Sequence, residues 1–300
     1  MGEVAIKAAQ YLKDKLKAEE FGRIVPTDYF YPAGAWVDSG LLQVPQLPES
    51  KLYFWKNPKG AGDLIILLSE AQPAMDKGAK FSERVVEIAR EFKVNRIVTF
   101  AAIPQSIDHA EEAEVWVTAS SKKILDELKD YKVKFMNSGQ IAGLNGLLLS
   151  VAKAKKIDGI CLLGGIPPYT IQIENPKASL AILEVLSEIL DIEIDLTVLA
   201  ERARFIEDEI EKLVDYLKSG LSGQDKITEE DIEKLKKGLS SVTKLPKSAQ
   251  EKIRQLFEDA RKDISKANEL KNELDRWNVY KEYEDQFLDL FKKPDKRGNA

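Results

Sequence analysis

Three apolar runs of strand length constrain this chain more than any other feature: LIILLS at 64–69, RIVTFAA at 96–102 and GICLLGG at 159–165. A half-buried strand alternates polar and apolar residues, whereas an unbroken apolar run is expected where helices cover both faces of a sheet. Helical spacing fills the intervals. Helices are predicted over 78–92, 121–129, 143–155 and 176–190, after an amphipathic N-terminal helix through Val4, Ala8, Tyr11, Leu12 and Leu16. Further strands are predicted at GRIV (22–25), KLYFWKN (51–57) and AEVWVTA (113–119), with an edge strand at KVKFM (132–136). The proline- and glycine-dotted stretch between the first two carries no predicted element. Strands alternating with helices place residues 1–195 in the α/β class, as a three-layer α/β/α sandwich with a mixed sheet.

Beyond residue 195 the pattern changes. No strand is expected, and the last third holds nearly half of the chain's formal charge in balanced signs. Leu199, Ala203, Ile206, Ile210, Leu213 and Leu217 follow the narrow spacing of a coiled-coil-like seam. SGLSGQDK (219–226) reads as a hinge, and ITEEDIEKLKKGL as a short helix capped by Thr228. From Ser248 one long helix is predicted, with Ile253, Phe257, Ala260, Ile264, Ala267 and Leu274 on one stripe that Trp277 and Tyr280 extend. Residues 196–292 are therefore expected to form a helical extension, and 293–300 a disordered tail. Narrow helical seams need cover, which makes Leu199, Ile206, Ile210, Ile253, Phe257, Ile264, Trp277 and Tyr280 candidate interaction residues; the alternative is that the seams pack on each other within one chain.

Composition narrows the function classes. The net charge of -5 advertises no broad basic surface for nucleic acid. No apolar segment is long enough to span a membrane, and the charged N-terminus is not a signal peptide. A single cysteine, Cys161, fits a reducing cytoplasm. With one histidine besides, a Cys/His metal site is not expected. Cys161 is read as a small core residue and His109 as an exposed loop residue.

Three strand ends share one rim. SEAQP (69–73), FAAIPQS (100–106) and LLGGIPPY (162–169) each close an apolar run at its carboxyl end, where open α/β sheets bind ligands. Glu70, Gln72, Gln105, Gly139, Gly143, Asn145 and Gly165 are the candidate pocket residues. The glycine segment before the helix at 143 matches neither the dinucleotide nor the Walker pattern. Its glycines are read chiefly as spacers that let that helix settle on the sheet. No nucleophile–base pair stands out, so no catalytic residue and no cofactor is assigned.

Taken in order and spacing, GEVAIKAAQYL (2–12), DLIILLSEAQP (63–73), GQIAGLNGLLLSVAKAKKIDGICLLGGIPPY (139–169) and NPKASLAILEVLSEILDIEIDLTVLAERA (175–203) resemble the proteasome assembly chaperone two family. The resemblance implies an α/β/α sandwich similar to nucleoside phosphorylases and hydrolases. It implies oligomer-forming proteins, some acting as chaperones or adaptors for proteasome rings, with no family-wide catalytic residues to carry over. The family pattern has an apolar strand ahead of the segment matching residues 2–12, so that strand is expected to be lost here or to lie ahead of a later start. Some archaeal relatives dock on proteasomes through a C-terminal hydrophobic-Tyr-any signature. This chain closes on RGNA, so contact with ring subunits is expected by another route.

The expectation is a cytoplasmic, non-enzymatic scaffold or assembly-chaperone-like adaptor. Its partners would be further copies of itself and proteasome-like ring subunits, not nucleic acid or membrane. The alternative is a nucleoside phosphorylase- or hydrolase-like enzyme, or a small-metabolite-binding protein, using the rim pocket.

Overall fold

The computed structural model describes residues 1–220 and 247–291, apart from positions 33, 39, 45, 61, 277 and 278. The chain divides into two compact units, Met1–Thr228 and Glu229–Ala300. In chain order the first unit contains helix α1 (Val4–Leu16), strands β1 (Glu19–Ile24), β2 (Trp36–Asp38), β3 (Leu41–Gln43), β4 (Ser50–Trp55) and β5 (Leu64–Ser69), and helix α2 (Gly78–Glu91). There follow β6 (Arg96–Pro104), β7 (Val115–Ala119), α3 (Lys122–Glu127), β8 (Lys134–Phe135), α4 (Gly143–Ala154), β9 (Asp158–Ile166), α5 (Pro176–Leu190) and α6 (Thr197–Gly220).

Each of the three apolar runs forms a strand covered on both faces. In β5, Leu64, Ile66 and Leu68 join a core with Val4, Ala8 and Leu12 of α1 and Ile182 and Leu186 of α5. Ile65 and Leu67 point the other way, to Phe81 and Ile88 of α2 and Leu144 of α4. The same division runs through β6: Val98, Phe100 and Ala102 face the α1 side, and Ile97 packs with α2 and α4. α1 and α5 therefore form one outer layer and α2 and α4 the other, as the apolar runs require.

The sheet itself is interrupted. One section has the order β1-β4-β5 and the other β6-β9-β7-β8. β6 and β9 are parallel over nine register positions, from Arg96↔Asp158 to Pro104↔Ile166, while β7 is antiparallel to β9, so the second section is mixed. β5 and β6 face the same helices yet do not pair, and each keeps one open edge. Asn145 of α4 donates its side-chain amide to the carbonyl of Phe100, which supplies a partner to one backbone group of β6.

Helix limits follow local chemistry. Pro176 stands in the first turn of α5, where its missing N–H costs nothing. Ser121 caps α3 by accepting from the Ile124 N–H. The glycines behave as spacers: a Cβ on Gly146 would lie 2.0 Å from the Ile141 carbonyl oxygen, and one on Gly159 2.7 Å from Leu149. Within the stretch without predicted elements, β2 and β3 form a two-stranded hairpin that belongs to neither section.

In the second unit, α7 (Lys247–Lys262), α8 (Ala267–Arg276) and α9 (Tyr280–Asp289) pack around Ile253, Phe257, Leu270, Leu274 and Phe287. The single long helix expected from Ser248 is broken. Asp263 leaves the helical region at φ -140° and accepts from the Ser265 N–H, which starts a new turn. The hinge at 219–226, the helix begun at Thr228 and the tail at 293–300 lie wholly or mainly outside the described residues. No helix among the described residues is long and apolar enough to cross a membrane.

Candidate functional site

β6 and β9 end side by side, and the chain leaves both at one rim. Pro167 and Pro168 stop β9, since neither can donate to a continuing ladder. Residues 107–113, the turn after Pro167, the first turn of α5 and the middle of α6 close around a cavity of about 30 Å³. His109, Gly165, Asn175, Lys177, Ile206 and Glu207 are among its walls. The space suits one or two water molecules, far below the size of a small-molecule pocket.

His109 is the centre of the polar wall. Its side chain is 5% exposed, because residues 107–113 fold beneath α6. The expectation of an exposed loop residue is therefore corrected. Its backbone N–H donates to the Tyr169 hydroxyl at 3.0 Å, and Nδ1 lies 3.0 Å from the same oxygen. Nε2 lies 2.8 Å from Oε2 of Glu211. Burial pushes the Tyr169 phenol up to about 12, so it stays a neutral donor near pH 7. Nδ1 also lies 3.2 Å from Oδ1 of Asp108, so each ring nitrogen of His109 faces a carboxylate.

The other polar groups are also engaged. Lys177 donates to the carbonyls of His109 and Glu111 at 2.7 and 3.0 Å and pairs with Glu207 at 2.7 Å. Asn175 donates to the carbonyls of Thr170 and Ile173 and accepts from the Thr170 hydroxyl. Gly2, at φ +56°, presses on Asn175, where a Cβ would come within 2.7 Å of the amide nitrogen. Arg202 of α6 meets Glu174 at 3.1 Å, with both side chains nearly buried. Arg202, Glu207 and Glu211 thus fasten successive turns of α6 to the rim. Chemically this is a clamp in which Lys177 and Asn175 already donate to carbonyls and Arg202 to Glu174. Among the described residues, no group of three or more His, Cys, Asp or Glu is placed to hold a metal ion.

The rim residues expected to share one pocket fall into separate groups. Gln72 rests on Gly143, where a Cβ would lie 2.9 Å from its Oε1. Asn145 of the same helix turns to Phe100. Gln105 packs on Gly165, and only Gly165 of the candidates lines the cavity. Glu70 closes the end of β4–β5, exchanging hydrogen bonds with the backbone of Glu49. Gly139, at φ +142°, sits against Met136.

The candidate interaction residues lie mostly in the chain's own cores. Leu199, Ile206 and Ile210 are buried, as are Ile253 and Phe257 of the second unit. Tyr280 is half-buried against that second core. Ile264, at the helix break, is exposed, and Trp277 lies outside the described residues. The residues that sequence reasoning missed are His109, Tyr169, Lys177, Glu207 and Glu211. The available signal was Glu207 and Glu211 at helical spacing, each one residue after a seam position.

Residues 1–214 match the model of the PAC2 family. An uncharacterized protein of Methanocaldococcus jannaschii is 30% identical over 215 residues, which cover 71% of this chain and 79% of that protein. Among solved structures, Pyrococcus furiosus PbaB, described as an archaeal proteasome activator, superposes with a TM-score of 0.60 at 25% identity, over 71% of this chain and 89% of that one. A Mycobacterium tuberculosis proteasome-assembly chaperone homologue reaches the same TM-score of 0.60 at 20% identity, over 70% and 89% of the two chains, and so shares the fold.

Proposed function

The chain belongs to the PAC2 family, and on that footing we propose that it is a non-enzymatic, self-associating adaptor of the proteasome-assembly-chaperone kind, working in the cytoplasm. The hairpin β2–β3 carries this reading. Val37, Leu41, Leu42 and Val44 are 67%, 68%, 75% and 89% exposed, and no Lys or Arg occurs from Ile24 to Ser50. An exposed apolar hairpin whose one charged residue is Asp38 marks a surface that another protein covers. A second copy of this chain offers an equally apolar face, and a self-complementary contact of that kind closes as a symmetric pair. The likeness to PbaB supports ring subunits of a proteasome as the further client.

Sedimentation at micromolar concentration tests the first step. The expected result is an assembly of two or more chains that shifts to lower mass in the Leu42→Asp/Val44→Asp variant. A wild-type chain that sediments as a monomer would remove the self-association reading. Co-sedimentation with purified proteasome ring subunits tests the client separately.

A further inference from the structure

We infer that the opposite edge of the sheet, where β6 and β9 begin, is a docking surface for an acidic polypeptide segment that carries an apolar anchor. The surface is independent of the hairpin and holds whichever client the adaptor serves.

It is built by two helix ends. α2 and α4 pack against each other, and Ala89 and Ala152 share a buried cluster with Val94 and Ile157 just beyond the two helices. Small residues in the last turns bring the ends close together. Arg90 and Lys93 extend from one end, Lys153, Lys155 and Lys156 from the other, and all five are exposed. Among the described residues none of the five enters an ion pair. Two nearby carboxylates are already engaged, Glu91 by Arg84 and Glu127 by Arg96; Asp158 stands exposed beside them. A single cation suffices to complement each helix C-terminus, and here there is an excess.

An aromatic pair flanks the charges. Phe92, between Arg90 and Lys93 in sequence, meets Phe21 of β1 edge-to-face with ring centroids 5.3 Å apart. The two rings remain 54% and 41% exposed. Cations beside exposed rings fit a chain of Asp or Glu interrupted by Leu or Phe: the carboxylates answer the lysines and the apolar side chain covers the rings. Nucleic acid fits less well. Rings set edge-to-face present no pair of open faces for bases to stack on.

The test uses the full chain and a fluorescein-labelled peptide of alternating Glu and Leu, read by anisotropy at low and high salt, with an oligothymidylate of equal charge as the rival. The peptide is expected to bind more tightly than the oligonucleotide. The Lys93→Glu/Lys155→Glu/Lys156→Glu variant should weaken it at least about tenfold, and Phe92→Ala should weaken it about threefold with the salt dependence unchanged. All of these positions are exposed, and circular dichroism checks that the variants fold. If the triple variant does not fold, Lys155→Gln with a salt titration reads the same contribution. Equal peptide affinity in wild type and charge variants, or tighter binding of the oligonucleotide, would overturn the proposal.

Discussion

Nε2 of His109 and Oε2 of Glu211 meet at 2.8 Å across 102 positions of sequence. The contact ties a turn at the end of β6 to the fourth turn of α6, inside a wall where the Tyr169 hydroxyl meets the same imidazole. Replacing His109 by Ala removes a buried imidazole that meets the half-buried Tyr169 hydroxyl and the exposed Glu211 carboxylate, while the backbone N–H at 109 still donates to that hydroxyl. Losing such hydrogen bonds costs about 0.5–1.5 kcal/mol each. Urea unfolding of His109→Ala should show a loss of that order, and Glu211→Gln, which keeps an acceptor in place, a smaller one.

Asp195 fastens the start of the same helix from the other side. Its carboxylate accepts from Lys15 at 2.8 Å and from the Thr197 N–H at 3.1 Å. The hydrogen bond from Lys15 first, and those from Thr197 next, hold its pKa down at about 2. A carboxylate depressed on folding stabilises the native state above its unfolded value near 4, and that stabilisation is lost as pH falls through about 2. The side chain is 61% exposed, so the effect is small and screened by salt. Asp195→Asn should flatten this part of the acid limb in a stability-versus-pH series, and the flattening should shrink in high salt.

Much of the sandwich was legible because its strands announce themselves. The run 64–69 became β5 at its predicted limits, and Pro176 marked the start of α5. What stayed hidden depends on partners distant in sequence. His109 has no local feature that betrays burial; α6 covers it from a hundred residues away. The helical seam at Leu199, Ile206 and Ile210 was correctly read as needing cover, yet spacing alone does not say whether cover comes from the same chain. The break at Asp263 rests on a side chain competing for a backbone N–H, a contest that helical periodicity does not register. The hairpin at 36–43 was masked by its own turn residues, and Val37, Leu41 and Leu42 are exposed rather than packed in a core.

Gly146 tests the reading of the glycines as spacers. A Cβ there would stand 2.0 Å from the Ile141 carbonyl oxygen, and backbone cannot give way as a side-chain tip does. Gly146→Ala should cost about 1–3 kcal/mol through forced displacement of the chain entering α4. Gly22→Ala is the control: its nearest neighbour, Leu52 Cδ1, lies at an ordinary 3.8 Å. Thermal melts of the two variants should therefore diverge, with Gly22→Ala close to wild type.

Cys161 lies at 0% exposure in β9, beneath helices on both faces of the sheet. Burial pushes its thiol up to about 11, so at pH 8 almost none is thiolate, the form that reacts with disulfide reagents. Two barriers then act together, since the reagent needs both access and ionisation, and both are removed when the strand opens. Ellman's reagent should label the folded chain only through its opened form and reach one thiol per chain promptly in urea. Where reclosing outpaces labelling, the rate tracks the population of the opened form, so Gly146→Ala should accelerate native-state labelling as that population rises. Prompt labelling of the wild type without denaturant would show that β9 is open to solvent and would undo the two-faced burial inferred from its apolar run.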